Sequence, residues 1–241
     1  MSGESVRYEL KDGIAVITID DGKRNALSPA VFRGIYGALR QAEKDRAGVI
    51  LTGREGVFSA GYDLKVMKAG NADTLRMLRA GYSLTARVMA YPYPVIAACN
   101  GHSFAMGVFL MLSTDYVIGT RGEFQIAANE VAIGLTMPRV ACTTLQQRLT
   151  PAAYQRAVTL SEVFTPETAL AAGFFDELAD PAELMARAQS RATQFAKLDA
   201  RAHAESKRRI RAKQISAIRR QVPLDLVDAV KFGLRGRKPK R

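Results

Sequence analysis

Phe58-Ser59-Ala60-Gly61-Tyr62-Asp63-Leu64 and, further along, Asn100-Gly101-His102-Ser103-Phe104-Ala105-Met106-Gly107 decide how this chain folds. Each follows an apolar run of strand character and precedes one of helical character. A strand that hands over to a helix through glycine leaves backbone N–H groups unpaired at the turn, where they can point at a ligand oxygen. The repeated strand–glycine–helix punctuation predicts an α/β chain built as a coiled stack of β-turns, although no fixed repeat period is visible.

Upstream, residues 6–10 and 14–19 read as a hairpin turning at Lys11-Asp12-Gly13. Within 14–19, Ala15, Ile17 and Ile19 share one face and Ile14, Val16 and Thr18 the other, so the strand is apolar enough on both sides to be buried. A helix then opens at Ser28-Pro29, with the serine as N-cap and Val31, Ile35, Leu39 and Ala42 as its apolar stripe. Residues 49–52, 95–99 and 115–119 are short buried strands, and 72–90 is a helix ended by Tyr91-Pro92-Tyr93-Pro94. Residues 108–112 are apolar all round, which for a helix means burial inside the domain. After residue 150 no strand is expected. Thr150-Pro151, Thr165-Pro166 and Asp180-Pro181 mark three helix starts, and Gly173 stops the second. The expected division is a core of residues 1–190 and a helical region of residues 191–241, with a disordered tail from Gly233.

At 241 residues, 48% hydrophobic and 24% charged, the composition is that of an ordinary globular protein. No apolar run approaches the roughly 20 residues that span a bilayer. Met1-Ser2-Gly3-Glu4-Ser5 has neither the basic nor the apolar region of a secretory leader, so a cytoplasmic location is expected. Cys99 and Cys142 sit in apolar contexts and read as reduced, packed thiols. The net charge of +12 is unevenly placed: residues 197–241 carry 15 Lys/Arg against 4 Asp/Glu, while residues 1–196 are nearly neutral. That basic stretch could serve an anionic ligand, RNA, a partner subunit or solubility alone. The absence of Trp, and of aromatics interleaved with the basic tail, argues against specific nucleic-acid binding.

Glu130 is the sharpest single candidate for chemistry. Ala127-Ala128 precede it and Val131-Ala132-Ile133 follow, so desolvation would raise its pKa toward that of a working base, unless it is simply a loop carboxylate beside a strand. Two backbone donors for an oxyanion together with one shielded carboxylate suit proton removal next to a carbonyl. Asp63 reads first as a helix cap, and His102, lacking Cys or acidic partners at ligand spacing, as a satisfied loop residue. There is no metal-binding Cys/His cluster, no G-x-x-x-x-G-K-[ST], no strand-borne G-x-G-x-x-G and no G-x-S-x-G.

Five segments in this order resemble the crotonase superfamily of enoyl-CoA hydratases and isomerases. They are Arg24-Asn25-Ala26-Leu27-Ser28, the 58–64 loop, Pro94-Val95-Ile96-Ala97-Ala98-Cys99-Asn100-Gly101, Asn129-Glu130-Val131-Ala132-Ile133-Gly134, and Thr165 through Gly173. The resemblance implies a spiral of ββα turns with a C-terminal helical trimerisation region, assembled as a homotrimer or hexamer. It implies an acyl-CoA thioester as ligand, with coenzyme A part of the substrate and no separate cofactor or metal. The thioester oxygen would be held by two backbone amides, which map to Ala60 and Met106. The remainder of the ligand would lie along Arg24, Ala26, Leu27, Gly61, Tyr62, Asp63, Leu64, Gly107 and Phe109.

Hydratases of this family use two glutamates. One position is that of Glu130; the other falls here on Phe109, which can neither take nor give a proton. Glu130 alone is similar to the arrangement of the Δ3-Δ2-enoyl-CoA isomerases. The resemblance therefore implies an isomerase of fatty acid metabolism in which Glu130 moves one proton from C2 to C4. The alternatives are a hydratase or other enolate chemistry of the family, and, in another class, a non-catalytic protein that binds acyl-CoA or RNA.

Overall fold

The computed structural model describes residues 5–236. β1 (Val6–Lys11) and β2 (Ile14–Ile19) form the antiparallel hairpin, closed by Asp12 and Gly13, both at positive φ, as a two-residue turn of the required twist demands. β3 (Ala26–Leu27) leads into α1 (Pro29–Lys44), where the Ser28 hydroxyl accepts from the Val31 amide and the 31/35/39/42 stripe is buried. β4 (Gly48–Thr52), β5 (Gly56–Ser59) and β6 (Gly61–Tyr62) follow in quick succession, then α2 (Leu64–Ala69) and α3 (Ala72–Met89). β7 (Val95–Cys99), β8 (Gly101–Phe104) and the wholly buried α4 (Met106–Leu112) make the next turn. β9 (Tyr116–Thr120) and β10 (Ile126–Ala127) begin another, which passes through a single 3-10 turn (Val131–Ile133) into α5 (Arg139–Gln146).

Each turn places one strand in a large sheet and the next in a small one. The large sheet has the order β1-β2-β4-β7-β9 and the small one β10-β8-β5, while β3 and β6 pair beside them. Every pairing between these strands after the hairpin is parallel. This is the spiral that the glycine punctuation predicts. The absent period has a plain cause: the helical part of one turn is α2 plus α3, and of the next only the seven residues of α4.

The rest of the chain corrects three expectations. α6 (Pro151–Leu160) and α7 (Pro166–Ala172) start on Thr150 and Thr165 caps as read, and Gly173 ends α7 at φ 95°. A strand does occur after residue 150, however: β11 (Glu177–Ala179) pairs in parallel with β9 and becomes the sheet's edge. Asp180-Pro181 opens a turn, and α8 (Leu184–Phe195) begins only at Leu184. Gly233–Gly236, expected to be disordered, continue α9 (Ala200–Gly236); residues 237–241 lie outside the described residues.

Helices cover both faces of the large sheet. α1, α3 and α4 share the main core, while Leu184, Ala188 and Ala192 of α8 pack on Ile14, Ile50, Ile96 and Ile118 of the opposite face. The expected boundary at 190/191 thus falls within α8. α9 folds back on α3 and α5 through Ile215, Ile218 and Val222, and two buried polar clusters fix its register. Lys207 and Arg211 pair with Asp115 at 2.6 and 3.0 Å, and Asp225 accepts the Arg139 and Val140 amides at 3.1 and 2.9 Å. No helix among the described residues is long and apolar enough to cross a membrane.

Candidate active site

Parallel pairing within the small sheet brings the two glycine-bracketed loops and Glu130 to one end of the spiral. β5 and β8 run side by side, as do β8 and β10, and the Ala105 amide donates to the Ala127 carbonyl at 2.9 Å. The 58–64 loop then lies directly on the 104–107 loop. A Cβ built on Gly61 would stand 3.0 Å from Ala105 Cβ and 3.5 Å from Met106 N; one built on Gly107 would reach 2.8 Å from Ser59 Cβ. Glycine at both positions is what lets the backbones approach this closely.

Asn25 organises the first loop. It is fully buried, and its side-chain amide donates to the carbonyls of Ile19, Val57 and Phe58 at 2.8, 3.1 and 3.2 Å. The Asp21 carboxylate in turn accepts the amides of Lys23, Asn25 and Ala26. Neither Asn25 nor Asp21 was picked out from the sequence as a site residue. The only signal was Asn25's place in the quoted 24–28 segment.

One assignment needs correcting. The Ala60 amide donates to the Arg24 carbonyl at 3.0 Å, so it is engaged within the fold and cannot serve as a ligand donor. The Gly61 amide donates to Ser59 Oγ at 3.1 Å, and the Asp63 amide to the Leu27 carbonyl at 3.3 Å. The Ala60 and Asp63 amides are thus both engaged, and between them the chain passes through Gly61 at φ 87°. On the second loop Ala105, at φ 48°, turns the chain so that Met106 is the first residue of α4, where an amide has no acceptor within its own helix.

Glu130 follows β10, and the turn after it is closed by hydrogen bonds from the Ile133 and Leu135 amides to its own carbonyl. Glu130 is 6% exposed, and its Oε2 is buried without a hydrogen-bond partner among the described residues. Burial pushes the carboxyl up to about 7, opposed weakly by its own backbone amide. The hydroxyls of Tyr62 and Tyr82 are raised chiefly by burial and further by the Glu130 charge, which places both rings in its electrostatic neighbourhood. Tyr62 fills a notch over Gly81, where a Cβ would stand 2.3 Å from the tyrosine oxygen, and its ring meets Tyr82 edge-on at 5.9 Å.

Among the remaining expected residues, Met106, Gly107 and Phe109 are buried in α4. Ala26 and Leu27 form β3 beside Gly61 and Tyr62. Arg24 and Leu64 are exposed. Asp63 caps α2, accepting the Lys65 and Val66 amides, and His102 Nδ1 accepts the Gln125 amide at 3.0 Å. Among the described residues, no three His, Cys, Asp or Glu side chains come together in a way that could hold a metal ion.

Comparison with known proteins gives this geometry a family. Residues 9–230 match the family model described as enoyl-CoA hydratase/isomerase. A structure described as an enoyl-CoA hydratase/isomerase family protein from Pseudomonas syringae superposes with a TM-score of 0.91 at 41% identity, covering 94% of this chain and 98% of that one. The apo structure of a Mycobacterium tuberculosis enoyl-CoA isomerase superposes with a TM-score of 0.89 at 43% identity, covering 93% and 98%. Mitochondrial enoyl-CoA delta isomerase 1 of Rattus norvegicus is 31% identical over 190 residues, 77% of this chain and 66% of that protein. The first two curated relatives are matched over 48% and 66% of their own lengths. The chain belongs to the enoyl-CoA hydratase/isomerase family, within the crotonase superfamily, whose members act on acyl-CoA thioesters.

Proposed function

We propose that this protein is a Δ3-Δ2-enoyl-CoA isomerase in which Glu130 alone carries the proton. The observation that bears most of the weight is the state of Glu130: a buried carboxyl raised to about 7, with Oε2 unpartnered, beside two loops held in backbone contact. A carboxylate in that state takes a proton from carbon more readily than a solvated one and returns it without exchange with bulk water. Phe109, fully buried in α4, offers no second acid or base to activate water. Two relatives described as enoyl-CoA isomerases support the same choice.

In this reading the thioester carbonyl sits between the Tyr62 and Met106 amides, Tyr62 replacing Ala60 as the first donor. Glu130 removes a C2 proton of a 3-enoyl-CoA; the electron pair moves through a dienolate whose oxygen those amides stabilise. Glu130 then delivers the proton to C4, leaving the 2-trans-enoyl-CoA. The nucleotide end of the ligand lies over Arg24, Ala26, Leu27, Asp63 and Leu64, and the protein works as a homotrimer or hexamer joined through its C-terminal helical region.

The test is turnover of 3-cis- and 3-trans-enoyl-CoA, scored separately for conjugated and hydrated product. Conjugated product is expected in large excess, and Glu130→Gln should reduce its formation by about 10²–10⁴ while acyl-CoA binding stays within a few-fold. Hydrated product in excess, or unchanged turnover in the variant, overturns the reading.

A further inference from the structure

A half-open cleft of about 690 Å³ lies outside α3, between α1 and α9, and none of the residues around Glu130 lines it. Its size falls within the range of small-molecule sites, about 300–1,000 Å³. Its lining includes the aliphatic side chains of Ala86, Ile218, Val222 and Leu226 together with three arginines, Arg79, Arg87 and Arg219. Arg87 is already paired with Glu43 and stacks on the Tyr91 ring. Arg79 and Arg219 are exposed, and no acidic side chain among the described residues lines the cleft to neutralise them.

An apolar lining beside uncompensated positive charge selects a ligand with an aliphatic body and an anionic head. Among the described residues the only aromatic ring on the walls is Tyr36, whose hydroxyl donates to the Ala80 carbonyl at 3.1 Å, so they supply no stacking platform for a nucleobase there. Residues 237–241 are no match, since their side chains include those of Arg237, Lys238, Lys240 and Arg241 and no carboxylate. We propose that this cleft is a second ligand site that takes an unesterified long-chain aliphatic carboxylate, its chain along α9 and its head on Arg79 and Arg219. The site stands independently of the Glu130 chemistry.

Calorimetric titration of the full chain with dodecanoate, kept below its micellar concentration, tests this. One site per chain is expected. Arg79→Glu combined with Arg219→Glu should weaken binding by roughly tenfold to a hundredfold. Ala90→Trp, which narrows the cleft and leaves its charges intact, should weaken it as well, and neither variant should alter acyl-CoA turnover. Dodecyltrimethylammonium, with the same chain and the opposite charge, should not bind. Any of four results overturns the proposal: equal binding of the ammonium compound; dodecanoate affinity unchanged in both variants; binding only to vesicles of anionic lipid; or no dodecanoate binding, with sedimentation showing that the arginine variants break an oligomer, which would assign the cleft to a second copy of the chain.

Discussion

At the scale of the residue, Glu130 is held in a costly state. A folded pKa near 7 against 4.5 for a free glutamate means that the native protein keeps a proton the unfolded chain has lost. Its contribution to stability is therefore fully present below about pH 4.5 and is lost as pH rises through about 7. The shift corresponds to about 3 kcal/mol at alkaline pH. Glu130→Gln, which cannot ionise, should accordingly be up to about 3 kcal/mol more stable than the parent in urea unfolding at pH 8, and indistinguishable near pH 4.5. Under the proposed mechanism activity follows the opposite sign, because a general base at Glu130 must be ionised: kcat/KM should rise with pH on a limb centred near 7, whereas a solvated glutamate would place it two units or so lower. That Glu130 is a shielded carboxyl could be read from its apolar neighbours. That the Ala60 amide is engaged could not, because its acceptor, the Arg24 carbonyl, lies 36 positions upstream.

At the scale of the element, α9 is joined to the core by polar contacts as much as apolar ones. Among the described residues Asp115 is the sole carboxylate paired with both Lys207 and Arg211, and burial lowers the Lys207 pKa to about 8 even with Asp115 opposing the shift. Asp115→Asn should cost about 3–5 kcal/mol, since it leaves two buried cations without a counter-charge. Amide exchange should show α9 releasing before the sheet does. Asp225→Ala, which uncaps the Arg139 and Val140 amides at the start of α5, should cost about 1–2 kcal/mol by the same urea measurement. These contacts explain where sequence reading stopped. Ser28-Pro29, Thr150-Pro151 and Thr165-Pro166 are local signals, and each cap formed as read. The three residues of β11 carry no pattern of their own and become a strand only by pairing with β9, nearly sixty positions away. The delayed start of α8 is likewise fixed by packing of Leu184 on the sheet rather than by Asp180-Pro181.

At the scale of the whole molecule, the spiral and the charge distribution serve different ends. Nearly all of the net positive charge belongs to residues 197–241, outside the loops that carry the proposed chemistry. Deleting residues 237–241 should therefore leave turnover of enoyl-CoA within about twofold and lower retention on an anionic column. The α/β spiral was legible because strand, glycine and helix recur in order, and its uneven turns explain why no period was. The central claim, that one screened carboxylate carries the proton between two carbons, is tested most directly by a single turnover of 3-enoyl-CoA bearing deuterium at C2 in ordinary water. The account predicts deuterium at C4 of the conjugated product. Complete loss of the label to solvent, with none at C4, would contradict it.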